Sequence, residues 1–219
     1  MNEEFLAPGD FIDSDAPAVV AFARAATVGT TGEMERALRL YCEVRDGILY
    51  DAYLDFSDPD RFRASAVLSA GRGFCVGKAA LLAACARALG IPARVGYADV
   101  KNHLTSAKLR ERLKTDLFIW HSYAELFLED CWVKATPAFN AGLCERLGIA
   151  PLAFDGRSDS LLQPFDAEGR RHMEYLVDRG AFADVPFARI LADFRALYPA
   201  LGERLEGDFQ AEAVGGGSA

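Results

Sequence analysis

The chain has 219 residues, 51% of them hydrophobic, with a formal charge of -8 and an isoelectric point near 5.0. One compact domain of this size buries a sufficient core without disulfides or metals. The acidic balance argues against a general nucleic-acid binder, which needs a basic surface to displace counterions.

The first residues, Met1-Asn2-Glu3-Glu4, are acidic and no apolar run follows them. No signal peptide is therefore expected. No uninterrupted apolar stretch reaches the roughly 18 residues of a spanning helix, so no membrane association is expected either. Residues 1–16 read as loop. Pro17 to Ala26 reads as a short helix, and Gly32 to Ile48 as an amphipathic one through Leu38, Leu40, Val44 and Ile48. Asp58-Pro59-Asp60 marks a further helix start, running to Ala70-Gly71.

The most regular segment is Cys75 to Leu89, preceded by Gly71-Arg72-Gly73-Phe74. Val76, Ala79, Ala80, Leu82, Ala83, Ala86 and Leu89 make its surface apolar almost all round, the mark of a buried helix. Gly90 supplies a left-handed cap and Pro92 prevents continuation. Ala93 to Val100 then reads as a strand and Lys101 to Thr115 as a basic helix or excursion. Leu117 to Leu128, the turn Glu129-Asp130 and Cys131 to Ala135 read as an antiparallel hairpin. Residues from Pro137 to Pro186 show no regular pattern. Phe187, Ile190, Leu191, Phe194 and Leu197 mark a C-terminal amphipathic helix. Residues 1–210 are expected to form one domain, and 211–219, ending Gly-Gly-Gly-Ser-Ala, a floppy tail.

Cys42, Cys75, Cys85, Cys131 and Cys144 are odd in number and form no disulfide framework, which predicts reduced thiols in a cytoplasmic protein. Cys75 stands apart because it opens the buried helix. Free N–H groups and the macrodipole at a helix N-terminus favour a thiolate. The plain alternative is a small buried apolar thiol. A nucleophile needs a base, and His121 sits mid-strand between Trp120 and Ser122, where an imidazole is rigidly aimed. His103 and His172 compete for that role from less regular segments. Glu125 lies four residues on and shares the strand face of His121, with Arg94 as its candidate ion-pair partner. No spacing predicts a metal site, and no phosphate-binding glycine loop is present, so no cofactor is expected.

Taken together, three stretches resemble the transglutaminase-like (papain-like) cysteine enzyme superfamily, of the bacterial kind. They are "YCEVRDGILY" at 41–50, "GRGFCVGKAALLAACARALGIPARVGYADV" at 71–100 and "WHSYAELFLEDCWVKATPAF" at 120–139. The resemblance covers about residues 34–140, with 141–210 as an extension. It implies an α+β fold with the nucleophile helix packed on an antiparallel sheet. It also implies acyl transfer or hydrolysis at an amide or peptide bond, with Cys75 as nucleophile, His121 as base and the Cys75 N–H in an oxyanion hole. The substrate would be a peptide, a protein or a small amide.

The family carries an aspartate before a proline on the return strand to orient the histidine, and here that slot holds Thr136 before Pro137. The Thr136 hydroxyl could itself accept a hydrogen bond from the imidazole, Asn140 could substitute for the aspartate, since papain-like sites can use an amide there, and Asp155 is a second substitute from outside the matched stretches. The bland readings are a β-branched strand residue for Thr136 and a turn former for Asp155. A catalytically inactive binding or scaffolding module is the alternative that this departure keeps open. The sequence does not separate hydrolysis from transamidation, and it leaves the oligomeric state open.

Overall fold

The computed structural model describes residues 3–103, 107–162, 169, 172–199, 202 and 204–213. The element order is α1 (Pro17–Ala26), α2 (Glu33–Gly47), β1 (Leu49–Tyr50), α3 (Ala64–Ala70), β2 (Arg72–Gly73), α4 (Cys75–Ala88), β3 (Ala93–Asn102), α5 (Ala107–Leu113), β4 (Leu117–Leu128), β5 (Cys131–Ala135), α6 (Ala141–Leu147), β6 (Met173–Phe182), α7 (Phe187–Leu197) and α8 (Phe209–Glu212). The four-stranded sheet has the order β5-β4-β3-β6, all neighbours antiparallel, and β1 pairs with β2 in a small parallel ladder. This is the α+β architecture that the sequence predicts.

Helix α4 is the centre of the molecule. Twelve of its residues, Val76 through Arg87, are buried. Its six alanines favour helix and let neighbours approach closely. Helices α1, α2 and α3 cover one side of it, and β3 and β4 the other. Gly77 is required for this contact, because a Cβ there would collide with the Arg61 carbonyl oxygen and the Val67 side chain. The helix stops at Leu89 and Gly90, whose φ of +80° continues the chain left-handed into Ile91-Pro92. The hairpin turn is Glu129-Asp130, with φ of +47° and +65°, the doubly left-handed geometry that matches strand twist.

Several expected boundaries move. The helix foreseen from Asp58 to Ala70 is a 3-10 turn at Pro59–Arg61 followed by α3, broken at Phe62-Arg63. The patternless stretch after Pro137 holds α6 and the ten-residue edge strand β6. Strand β6 is hard to read because it is largely exposed and interrupted by two register shifts against β3. Residues 211–213 belong to a docked segment around α8 rather than to a tail, and residues 214–219 lie outside the described residues. Trp132 is only half-buried, with Arg94 at 4.2 Å over its ring and Phe5 packed edge-on against it, whereas Trp120 is 1% exposed. The Arg94–Glu125 pair forms, at 2.6 Å.

Candidate active site

Cys75 is the first residue of α4, after the extended Phe74. Its sulfur is within reach of three backbone N–H groups, those of Ser122, Val76 and Cys75 itself. Ser122 follows His121 on β4, so the tip of the helix abuts the histidine strand. Both residues line one cavity of about 100 Å³. Its walls are mainly aromatic and aliphatic, with Phe56, Phe74, Phe118, Phe194, Tyr198 and Phe209 prominent.

The electrostatics differ from the expectation of a thiolate. Burial pushes the Cys75 thiol up to about 11, against the pull of the Ser122, Val76 and Cys75 N–H groups. Here desolvation outweighs the helix N-terminus. Burial likewise pushes the His121 imidazole down to about 4, with the nearby His172 adding repulsion against a second positive charge. His121 is 6% exposed, and its Nε2 is buried with no hydrogen-bond partner. No Cys–His bond is therefore closed through that nitrogen. The His121 ring meets Tyr175 edge-on, with centroids 6.1 Å apart.

The three residues considered as orienters of His121 are placed elsewhere. Thr136 is 1% exposed and its Oγ1 has no partner, so it does not bond to His121. Its backbone is used instead: the N–H donates to Ser160 O at 3.0 Å, and its carbonyl accepts from Tyr41 Oη at 3.1 Å. The Asn140 amide is committed to a reciprocal pair with Gln210, at 3.2 and 3.1 Å, and its Oδ1 also accepts the Tyr50 N–H at 3.1 Å. Asp155 shapes a turn by accepting the Arg157 and Ser158 N–H groups at 2.8 and 2.7 Å, which hold its carboxyl below the usual range. Asp155 thus follows its reading as a turn former.

His172, a competitor for the base from a less regular segment, is 3% exposed and lines the same cavity, stacked on Phe139 at 6.2 Å. Its segment precedes the unforeseen β6, so nothing in the periodicity pointed to it. The basic run 101–114 contributes Leu109 and Leu113 to the cavity wall. Its charges have other uses: Arg112 donates to the Ala52 and Leu54 carbonyls, Lys101 pairs with Asp116, and Lys108 pairs with Glu212. Among the described residues no group of His, Cys, Asp and Glu could hold a metal, and no helix is long and apolar enough to cross a membrane.

The profile of the transglutaminase-like superfamily (transglutaminase core) matches residues 20–137, more than half of the chain, and the chain belongs to that superfamily. No curated protein sequence matches it. Among solved structures it resembles "a Putative Cysteine Protease from Cytophaga hutchinsonii", with a TM-score of 0.51 and 20% identity. The match covers 84% of this chain and 47% of that one, so this chain spans about half the length of that relative. A "putative protease from Parabacteroides distasonis" matches at a TM-score of 0.40 and 16% identity, over 60% of this chain and 26% of that one.

Proposed function

We propose that the protein is a cysteine-dependent acyl-transfer enzyme, an amidase, peptidase or transglutaminase-type transferase acting on a peptide, protein or small amide. The observation that carries this reading is Cys75 at the tip of buried α4, lining one cavity with His121 while the Ser122 N–H reaches its sulfur.

The two pKa shifts bear on how such a site would work. Moving a proton from a thiol near 11 to an imidazole near 4 is uphill by on the order of 10 kcal/mol at about 1.4 kcal/mol per unit. Both directions favour the neutral thiol and imidazole over a resting ion pair. The neutral imidazole is nonetheless the form that a general base requires. Its nitrogen takes the Cys75 proton as the sulfur bonds to the carbonyl carbon and the carbonyl π electrons move onto oxygen. The N–H groups at the α4 N-terminus, which make no bond within the helix, suit that oxyanion. Collapse expels the amine, which takes the proton from the imidazolium, and water or a second amine then resolves the thioester. The apolar walls favour an apolar group on the acyl side of the substrate.

The orphaned His121 Nε2 and the neutral pair favour a second reading, a binding module that keeps the cavity without turnover. Reaction with p-nitrophenyl acetate, followed by mass spectrometry, separates the two. The enzyme reading expects an acyl adduct on Cys75 and release of nitrophenolate that Cys75→Ala abolishes. Equal release from both proteins, with Cys75 unmodified, overturns it.

A further inference from the structure

The residue before His121 is held in an unusual conformation. Trp120 has a φ of +59°, in the left-handed region that bulky side chains avoid. The strand register explains it. His121 pairs with Ala98 and Phe118 with Val100, so β4 sets two residues, Ile119 and Trp120, opposite Asp99 alone. This is a β-bulge, which re-aims the side chains that follow and sends its N–H groups to side chains, that of Ile119 to Tyr198 Oη at 2.9 Å. The displaced Trp120 N–H donates to Asp99 Oδ1 at 3.1 Å.

Asp99 is itself held. Arg179 donates through Nε to Oδ1 and through Nη2 to Oδ2, a bidentate pair. Its third nitrogen, Nη1, donates to Asp193 Oδ2 at 2.9 Å, and the same oxygen accepts the Trp120 indole N–H at 2.8 Å. The guanidinium also lies 4.5 Å over the Trp120 ring. Arg179 has no partner in its own ladder, where Asp178 pairs with Ala98 and Gly180 with Tyr97, so an irregularity of β6 delivers it to the bulge of β4.

We propose that Asp99, clamped by Arg179, is a positioning residue that maintains this bulge and thereby aims the His121 imidazole into the cavity it shares with Cys75. The proposal rests on the reading of His121 as the base. The argument is one of strand parity. Because of the bulge, the consecutive residues Ile119 and Trp120 both enter the helix-side core. The ladder partners of Phe118 and His121, Val100 and Ala98, lie together in the second apolar cluster with Tyr123. In a strand of strict alternation, side chains three positions apart face opposite ways, so loss of the extra residue turns either the tryptophan or the histidine. A carboxylate opposite the bulge supplies the acceptor that the ladder no longer provides.

The test is ring-nitrogen NMR on the full chain labelled at histidine, with His121→Gln for assignment. In the unaltered protein, His121 holds one neutral tautomer down to about pH 5. In Asp99→Ala its apparent pKa rises by about one unit or more and the tautomer balance changes. Asp99→Asn keeps an acceptor for the Trp120 N–H and restores the behaviour to within about half a unit. A folded Asp99→Ala protein with unchanged His121 titration and tautomer overturns the proposal. Should that variant not fold, Arg179→Met is read the same way, and an unmoved His121 there overturns it too. Turnover is not needed for this readout. A displaced His121 alongside an unreactive Cys75 supports the positioning role while sinking the enzyme reading, and an unmoved His121 alongside an acylated Cys75 does the reverse.

Discussion

The Ser122 backbone N–H reaches the Cys75 sulfur, joining the strand that carries His121 to the first residue of α4. A backbone N–H near the sulfur, with two more from the helix tip, is the machinery that lowers a thiol pKa elsewhere. Here it works against desolvation, and desolvation prevails. The arrangement suits a sulfur that becomes negative only when a substrate arrives and its proton leaves for the imidazole.

Alkylation by iodoacetamide tests that balance. Against an ordinary thiol of 9.0, a value near 11 leaves about a hundredfold less thiolate at neutral pH. In a background of Cys42→Ser and Cys131→Ser, which removes the exposed thiols, Cys75 should react about a hundredfold more slowly than a free thiol. Its rate should still be climbing at about pH 10. A plateau reached near neutrality would mean that the thiolate is stabilised in the resting protein and that the general-base scheme is wrong.

The Thr136 hydroxyl is buried and unpartnered, a costly condition for a polar group. Replacing it with the near-isosteric valine removes a group that was desolvated for nothing. Thr136→Val is expected to be neutral or more stable by about 1 kcal/mol in chemical denaturation. Reaction of Cys75 with p-nitrophenyl acetate should be unchanged within about twofold, since Thr136 does not hold His121. A tenfold fall in acylation, with stability retained, would give the hydroxyl the orienting role that its unbonded state denies it.

Much of this site was legible in the sequence, and the reason is local. The alanine-rich, all-round apolar segment could only be a buried helix, and its first residue was therefore fixed at the end of a core element. The aromatic run after Leu117 could only be a strand, and Glu129-Asp130 its turn. Illegible parts depend on partners distant in the chain. The αL conformation of Trp120 is imposed by Asp99 and Arg179, 21 and 59 positions away in sequence, and no propensity scale makes tryptophan left-handed. Asn140 looked like a papain-type orienter because its true partner, Gln210, is 70 residues downstream. His172 was undervalued because β6 lacks the alternation that would have placed it.

Gln210 fastens the C-terminal segment over the cavity. Its amide holds Asn140 and donates to the Tyr50 carbonyl at 2.7 Å, while the adjoining Phe209 lines the cavity and packs on Tyr53 at 5.1 Å. Gln210→Ala removes side-chain bonds worth about 1 kcal/mol each. Local opening of residues 204–213 should rise severalfold, measured as amide exchange, and Cys75 alkylation should quicken in parallel. Asn140→Ala should do the same and leave the His121 titration alone. Faster exchange without faster alkylation would show that this segment does not gate access to the cysteine.

Lys78 makes stability depend on pH in the alkaline range. It lies on α4, is fully buried, and donates its ammonium to the Arg45 and Ile48 carbonyls at 2.9 and 2.5 Å, capping the end of α2. Desolvation pushes it down to about 7, from an ordinary 10.5. Between those values the unfolded chain binds the extra proton, so stability from this group rises with pH from about 7 to 10.5 and is lost as pH falls back toward 7. The span amounts to at most about 5 kcal/mol. Lys78→Met removes the titration but strands two carbonyls, a cost of about 1–3 kcal/mol each. The variant should therefore compare worst with the unaltered protein near about pH 10, and the gap should narrow or reverse near about pH 6. Urea denaturation at both pH values measures the difference directly. A gap independent of pH would mean that Lys78 keeps its charge in the folded core, with the two carbonyls compensating its desolvation in full.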